Sequence, residues 1–259
     1  MIDTHCHLDH SGFTEEAVQN LRALITIGTD PSNWGYAVDL TTDPRIFAAL
    51  GVHPNAADSA RNAHTRATLE VLLNEDRVVG VGETGFDTHW DTQTLADQQF
   101  AFDWQAELAH ALQRPLIMHI RSRPEQQPAS NASHIARRAL ARYPGNLVVL
   151  HCFNGDEGLL ELALEREFYV SFAGNLTFKN ARELHAAAVR VPRERLLVET
   201  DAPYLAPVPK RGKRNQPTWV HHTAHFLAEL LGEDAQALER TLDANAIRAF
   251  SLPGTLGGL

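Results

Sequence analysis

The chain begins Met1-Ile2-Asp3-Thr4-His5-Cys6-His7, a short apolar start that runs straight into His-x-His. On a β-strand, residues two apart point to the same side. His5 and His7 therefore aim together and Cys6 faces the other way. Two imidazoles converging at the end of a strand suit a divalent metal of the zinc or manganese class. Alone the motif is a weak signal, as short motifs are. It gains weight because a strand ending in an imidazole or carboxylate recurs along the chain.

Outward from this stretch, short β-like runs alternate with amphipathic helical runs, the order that makes a parallel sheet with crossover helices. Strands are expected at residues 1–5, 24–28, 46–52, 77–82, 116–119, 147–151, 168–171 and 195–199. Helices are expected at 15–24, 32–40 with Ser32 as cap, 68–74, 94–113, 132–142, 158–165, 181–189, 218–231 and 234–250, with 254–259 as a frayed tail. Eight such units in about 250 residues fit a (β/α)8 TIM barrel. An open doubly wound sheet is the alternative, weakened because no Gly-rich phosphate fingerprint follows the first strand. No internal repeat or linker is visible, so residues 1–259 read as a single domain, and 203–217 as a long functional loop after the eighth strand.

Composition narrows the function. A net charge of −9 argues against broad nucleic-acid coating, though not against a local basic patch. No apolar run is long enough to span a bilayer, and Asp3, His5 and His7 occupy the place a signal peptide would need to be apolar. Two cysteines, Cys6 and Cys152, make no disulfide framework, so a cytoplasmic setting is the default. Both are read as small core residues facing away from the strand-end site. Of the fourteen histidines, His64, His89, His110, His134, His185 and His225 lie on expected helices or loops and are read as surface residues.

The polar groups at strand ends are His5, His7, Glu83, His119, His151 and Asp201. In a barrel these ends share one face, where catalysis occurs. Taken singly, Glu83 could cap the Thr84-Gly85 turn, His151 could be a satisfied core histidine, and Asp201 could make an Asx-turn before Pro203. Six in register on one face are much harder to dismiss. Four imidazoles and two carboxylates exceed the needs of one catalytic zinc and suit two cations bridged by a carboxylate. Glu83 is the natural bridge, and Asp201 can bind one metal and accept the proton of the attacking water.

These stretches resemble the TatD family of metal-dependent deoxyribonucleases, within the amidohydrolase-like barrels. The resemblance rests on IDTHCHLD at 2–9, LGVHP at 50–54, VGETGFD at 81–87, PLIMHIRS at 115–122, VVLHCF at 148–153, YVSFAGNLTFKN at 169–180, LLVETDAPYLAP at 196–207 and RGKRNQP at 211–217. It implies a first metal on His5, His7, Glu83 and Asp201 and a second on Glu83, His119 and His151, with Mg2+ or Mn2+ as the ions and Zn2+ as an alternative. Two departures touch the pocket wall, where substrate preference is set: Gly85-Phe86-Asp87-Thr88-His89-Trp90 replaces the family's leucine and aromatic run, and Ser122 stands where relatives often carry Asp.

For substrate contact the candidates are Arg121, on the same strand side as His119, Arg211 in the run Lys210-Arg211-Gly212-Lys213-Arg214, His53 at the end of the third strand, and Tyr204. Guanidinium groups bind phosphate bidentately, while Tyr204 and Trp90 could stack on bases. The expected function is a deoxyribonuclease or phosphodiesterase trimming DNA ends, 3'–5' exonuclease-like, on single-stranded DNA, with no membrane and no obligate protein partner, as a monomer. The alternatives are a metallohydrolase of a small amide, ester or lactone, or of an aminoacyl-tRNA ester, and a non-enzymatic metal-binding protein, against which the complete ligand set argues.

Overall fold

The computed structural model describes residues 1–11, 14–90, 92–123, 131–254 and 256, with residues 10, 11 and 17 described by backbone alone. Its frame is one parallel sheet whose strands stand in sequence order, β1 (Ile2–Cys6), β2 (Ala23–Gly28), β3 (Ile46–Leu50), β4 (Val78–Asp87), β5 (Leu116–Arg121), β6 (Val148–Leu150), β7 (Tyr169–Phe172) and β8 (Leu196–Val198). The helices between them are α1 (Leu8–Ser11), α2 (Glu15–Val18), α3 (Trp34–Leu40), α4 (Ala63–Leu72), α5 (Leu95–Leu112), α6 (Ala132–Leu140), α7 (Glu157–Glu165), α8 (Arg182–Ala188), α9 (Val220–Leu231) and α10 (Ala235–Ala249). This is the (β/α)8 barrel that the alternation of apolar runs predicts. No described helix is long and apolar enough to cross a membrane.

Strand residues alternate between two cores. Ile2, Ile25, Ile27, Phe47, Ala49, Val79, Ile117, Val149, Tyr169 and Leu197 fill the inside of the barrel. Their neighbours, such as Leu24, Ile46, Leu50, Val81, Met118 and Leu196, pack outward against the helices. Both faces are apolar because a parallel sheet in a barrel is buried on both sides. One end of the interior is closed by Ala249 and Phe250 at the end of α10 and by Leu252 and Leu256 beyond it. The expected frayed tail thus begins as a floor for the barrel, with 255 and 257–259 outside the described residues.

β8 and β1 meet to close the sheet, and side chains do part of that work. The Asp201 N–H donates to His5 O at 2.9 Å and the His7 N–H to Ala202 O at 2.8 Å. Between these bonds and the three-residue strand β8, the Asp3 carboxylate accepts from the Thr200 N–H at 2.9 Å and the Thr200 hydroxyl at 2.5 Å. Thr4 Oγ1 donates to Val198 O at 2.9 Å. Asp3 is fully buried, and burial pushes its carboxyl up to about 8 against the pull of these donors.

Three local expectations shift. The helix expected at 15–24 stops at Val18, Asn20 takes a left-handed φ of 68°, and Leu24 pairs with Asp3 in the sheet. Ser32 does not cap α3, because its hydroxyl donates to Asp30 at 2.5 Å, and Asn33 takes the cap position. β4 runs through Glu83 to Asp87 instead of ending at Gly82.

Removing the Asp3 carboxylate leaves the Thr200 donors unpaired in a buried seam. We expect Asp3→Ala to lower the unfolding free energy of the metal-free protein by about 2–4 kcal/mol, the sum of one or two buried unmet donors. Urea denaturation reads this directly, and an unchanged midpoint would show that the seam does not depend on Asp3.

Candidate metal centre

The site forms where the strands end. His5 is the penultimate residue of β1 and His7 follows that strand. His119 lies on β5, and His53, His151 and Asp201 come shortly after β3, β6 and β8. Glu83 sits within β4, between two residues whose backbones only glycine can supply. Gly82 and Gly85 have φ of 130° and 135°, and a Cβ there would lie 2.6 Å from Ile117 O and 2.3 Å from His119 O. These glycines let β4 press close to β5 on both sides of Glu83.

Helix α5 fixes the same segment from behind. Gln105 and Gln98, both buried, stand seven residues apart, which puts them on one helix face. Gln105 Nε2 donates to Thr84 Oγ1 at 2.7 Å and to Val52 O at 3.1 Å, while its Oε1 accepts the Val52 N–H at 2.8 Å. Gln98 brackets Asp87, accepting its N–H at 2.9 Å and donating to its carbonyl at 3.0 Å.

The two oxygens of Glu83 face two separate groups. Oε2 lies 3.2 Å from His5 Nε2 and 3.7 Å from His7 Nε2. Asp201 Oδ1 joins that side, 3.3 Å from His7 Nε2 and 4.0 Å from His5 Nε2. Oε1 lies 2.6 Å from His119 Nδ1, 3.2 Å from His151 Nε2 and 3.4 Å from His53 Nε2. The six residues expected to converge from the strand ends do so, and His53 is drawn in beside them. Asp87, not singled out from the sequence, lies 3.2 Å from His119 Nε2, and Glu199 lies 3.2 Å from His151 Nδ1.

Burial alone would raise Glu83, but the imidazoles of His151, His53 and His119 outweigh it and hold the carboxyl well below the usual range. For His151, burial works toward a lower value, and the carboxylates of Glu83 and Glu199 overcome it and raise the group. His5 moves the other way, lowered by burial and by His151. Asp201 is held low against burial by its bond to His7. The ensemble is a ring of mutually dependent charges that no single partner satisfies.

Several buried atoms lack any hydrogen bond: both ring nitrogens of His5 and Oε2 of Glu83. Unpaired buried polar atoms are costly, and here they converge. Donor atoms of His5, His7 and Glu83 lie within 4.8 Å of one another, as do those of Glu83, His119 and His151. Nitrogen and carboxylate oxygen in these numbers fit Zn2+ and Mn2+ best, with the carboxylate oxygens available to Mg2+, so the residues present suit metals that the resemblance implies.

The site opens into a cavity of about 1220 Å³ whose wall includes Trp90, Arg121, Cys152 and Tyr204. The Arg121 guanidinium lies 5.7 Å from the Trp90 ring centre, and the Tyr204 ring 6.1 Å from that of His7. Two placements differ from expectation. Arg211 is not on the cavity wall; its guanidinium rests on the Phe178 ring at 4.3 Å, because the loop turns back at Gly212, where φ is 83° and the Lys213 N–H bonds Lys210 O at 3.1 Å. Cys152 is not a core residue. β6 has already ended, Cys152 takes a left-handed φ of 42°, and it lines the cavity; Cys6 alone lies in the outer core. Glu199 was hidden because an acid at the end of an apolar run looks like a strand end meeting solvent. Asp87 entered the sequence reading only as part of the run at residues 85–90, at the pocket wall.

The model of the family described as TatD related DNase matches residues 2–251. An uncharacterized metal-dependent hydrolase TatD of Mycobacterium tuberculosis is 34% identical, with 97% of this chain and 98% of that protein covered. An uncharacterized metal-dependent hydrolase, YcfH, of Escherichia coli K12 is 33% identical over 97% of this chain and 96% of its own length. Among solved structures, the TatD homologue YjjV of Escherichia coli K12 superposes with a TM-score of 0.85 at 26% identity, covering 98% of both chains. The chain belongs to the TatD-related DNase family of metal-dependent hydrolases.

Proposed function

We propose that the protein is a phosphodiesterase that hydrolyses DNA from its ends, with two divalent cations held by His5, His7, Glu83 and Asp201 on one side and by Glu83, His119 and His151 on the other. The observation that carries this reading is the division of Glu83, one oxygen toward each group of imidazoles. Such a pair of ions, when bound, supplies Lewis acidity toward a phosphoryl oxygen and a hydrolytic water of lowered pKa. The rest falls to the protein. Arg121, on the cavity wall, binds a neighbouring phosphate oxygen, and the Trp90 indole beside it offers a face for a base. Asp201, ionised and reached from the cavity, takes the proton of the attacking water on its carboxylate. The buried floor and the apolar interior keep bulk water to the mouth.

Glu83→Ala and Asp201→Asn are each expected to cut turnover on a single-stranded oligonucleotide by at least about 100-fold, with the circular dichroism spectrum unchanged. Near-native turnover of both variants at saturating metal would refute the assignment.

Chelation is expected to abolish activity, and Mg2+ or Mn2+ to restore it, since a mixed imidazole and carboxylate set accepts several divalent ions. Rigorously metal-free protein that retains full activity would overturn the metal-dependent reading.

The two arginines should separate. Arg121→Met is expected to lower kcat/KM on the oligonucleotide by about tenfold to a hundredfold, the worth of one charge-assisted contact, and to leave a neutral ester untouched. Arg211→Met, away from the cavity wall, is expected to change kcat/KM by less than about threefold. Equal losses on both substrates for Arg121→Met would mean that Arg121 supports the fold or the metal centre, and no loss on either would favour hydrolysis of a small amide, ester or lactone.

A further inference from the structure

One buried acid beside the metal centre has no part in the ligand set above. Glu199 directly follows β8 and is completely buried. Its Oε1 accepts the Cys152 N–H at 2.7 Å and lies 3.2 Å from His151 Nδ1. Its Oε2 makes no hydrogen bond. A carboxylate held in a core with one oxygen unmet costs stability, so its retention asks for a use.

We propose that Glu199 is a positioning residue, which accepts the Nδ1–H of His151 and so fixes the tautomer that presents the Nε2 lone pair toward Glu83 Oε1. The inference rests on the metal centre proposed above. An imidazole holds a cation through one nitrogen, and which nitrogen is free depends on the partner of the other. For His151 the contacts favour one arrangement. Nδ1 faces Glu199, Nε2 faces Glu83 at 3.2 Å, and the His5 ring stacks on its face at 3.9 Å and 10°. The Cys152 N–H, turned inward by the left-handed conformation at that residue, holds Glu199 Oε1 in place. On this reading Cys152 contributes its backbone, and its thiol has no role.

His119 shows the same construction with its ring reversed. Nε2 lies 3.2 Å from Asp87 Oδ2 and Nδ1 lies 2.6 Å from Glu83 Oε1. Two imidazoles on one side of Glu83 thus carry separate acids behind them and present opposite nitrogens. His5, on the other side, has no hydrogen bond to either ring nitrogen. Glu199 therefore serves the position built on His119 and His151 and leaves the other alone. A rival arrangement exists, because donor atoms of His5, His151 and Glu199 also lie within 4.8 Å of one another. There Glu199 would itself be a ligand, and His151 Nδ1 would have to be free of its proton.

The test uses the whole chain. Zn2+ is titrated by calorimetry into wild-type, Glu199→Gln and Glu199→Ala proteins, and the imidazole N–H resonances are read in the zinc-loaded state. Outer partners of metal-ligating histidines are typically worth 10- to 100-fold in affinity. The expected result is a slowly exchanging Nδ1–H at His151 in the wild type. One of two equivalents should weaken about tenfold in Glu199→Gln, and up to about a hundredfold in Glu199→Ala, with loss of that resonance. The other equivalent and the melting temperature of metal-free Glu199→Gln should stay as in the wild type. A zinc-loaded wild type without the His151 Nδ1–H resonance overturns the proposal in favour of Glu199 as a ligand. Unchanged affinities in Glu199→Gln, or equal weakening of both equivalents, also overturn it; this isosteric variant carries the test if Glu199→Ala does not fold. A wild type that binds no divalent cation fails at the metal centre itself, which the titration separates from a failure of Glu199 alone.

Discussion

A carboxylate buried among imidazoles is the constraint around which the rest is arranged. Glu83 is buried, yet the imidazoles of His151, His53 and His119 hold its carboxyl well below the usual range, with His5 and His7 beside its other oxygen. None of these groups would hold its place alone. Taking a carboxylate out of water is expensive, and its attraction to neighbours repays that only in good geometry. The chain therefore invests in geometry: two glycines that let β4 lie against β5, two glutamines on one face of α5 that grip β4, and a seam in which Asp3 stands in for missing strand pairs.

These supports share a logic. The glutamines and Asp3 each put a side chain from another element where a strand–strand hydrogen bond would stand, at the cavity end of the barrel. Regular pairing there would aim alternate side chains at the interior and the helices without exception. The register shifts between Asp3 and Cys6, and between Val81 and Thr84, break that rule at β1 and β4, the two strands that deliver His5, His7 and Glu83. Irregular backbone at the mouth of a regular barrel gives the site freedom of placement while the interior stays a packed solid.

Much of this was legible in the sequence, for physical reasons. Apolar runs of strand length separated by amphipathic stretches report burial on both faces of a sheet, and so located all eight strands. The His-x-His pair and the strand-end acids were visible because polar residues abutting such runs are conspicuous. Glu83 was misplaced at a strand end because Gly82 and Gly85 read as punctuation, whereas here they permit close approach of two strands. Glu199 escaped notice because nothing in one dimension separates an acid at a wet strand end from one that meets a histidine 48 residues away. Arg211 rests away from the cavity wall for a related reason: charge is readable in sequence, but the direction in which a glycine-containing loop folds is not.

The floor under the barrel has a consequence for traffic. Phe250, Leu252 and Leu256 pack beneath Ile2, Phe47 and Tyr169 and stop the interior like a cork. Among the described residues the cavity opens at the strand ends, so what reaches Glu83 through that mouth leaves the way it came. A long polymer cannot be threaded through such a vessel as through a ring. It can only dip a terminus or a loop into the mouth and withdraw.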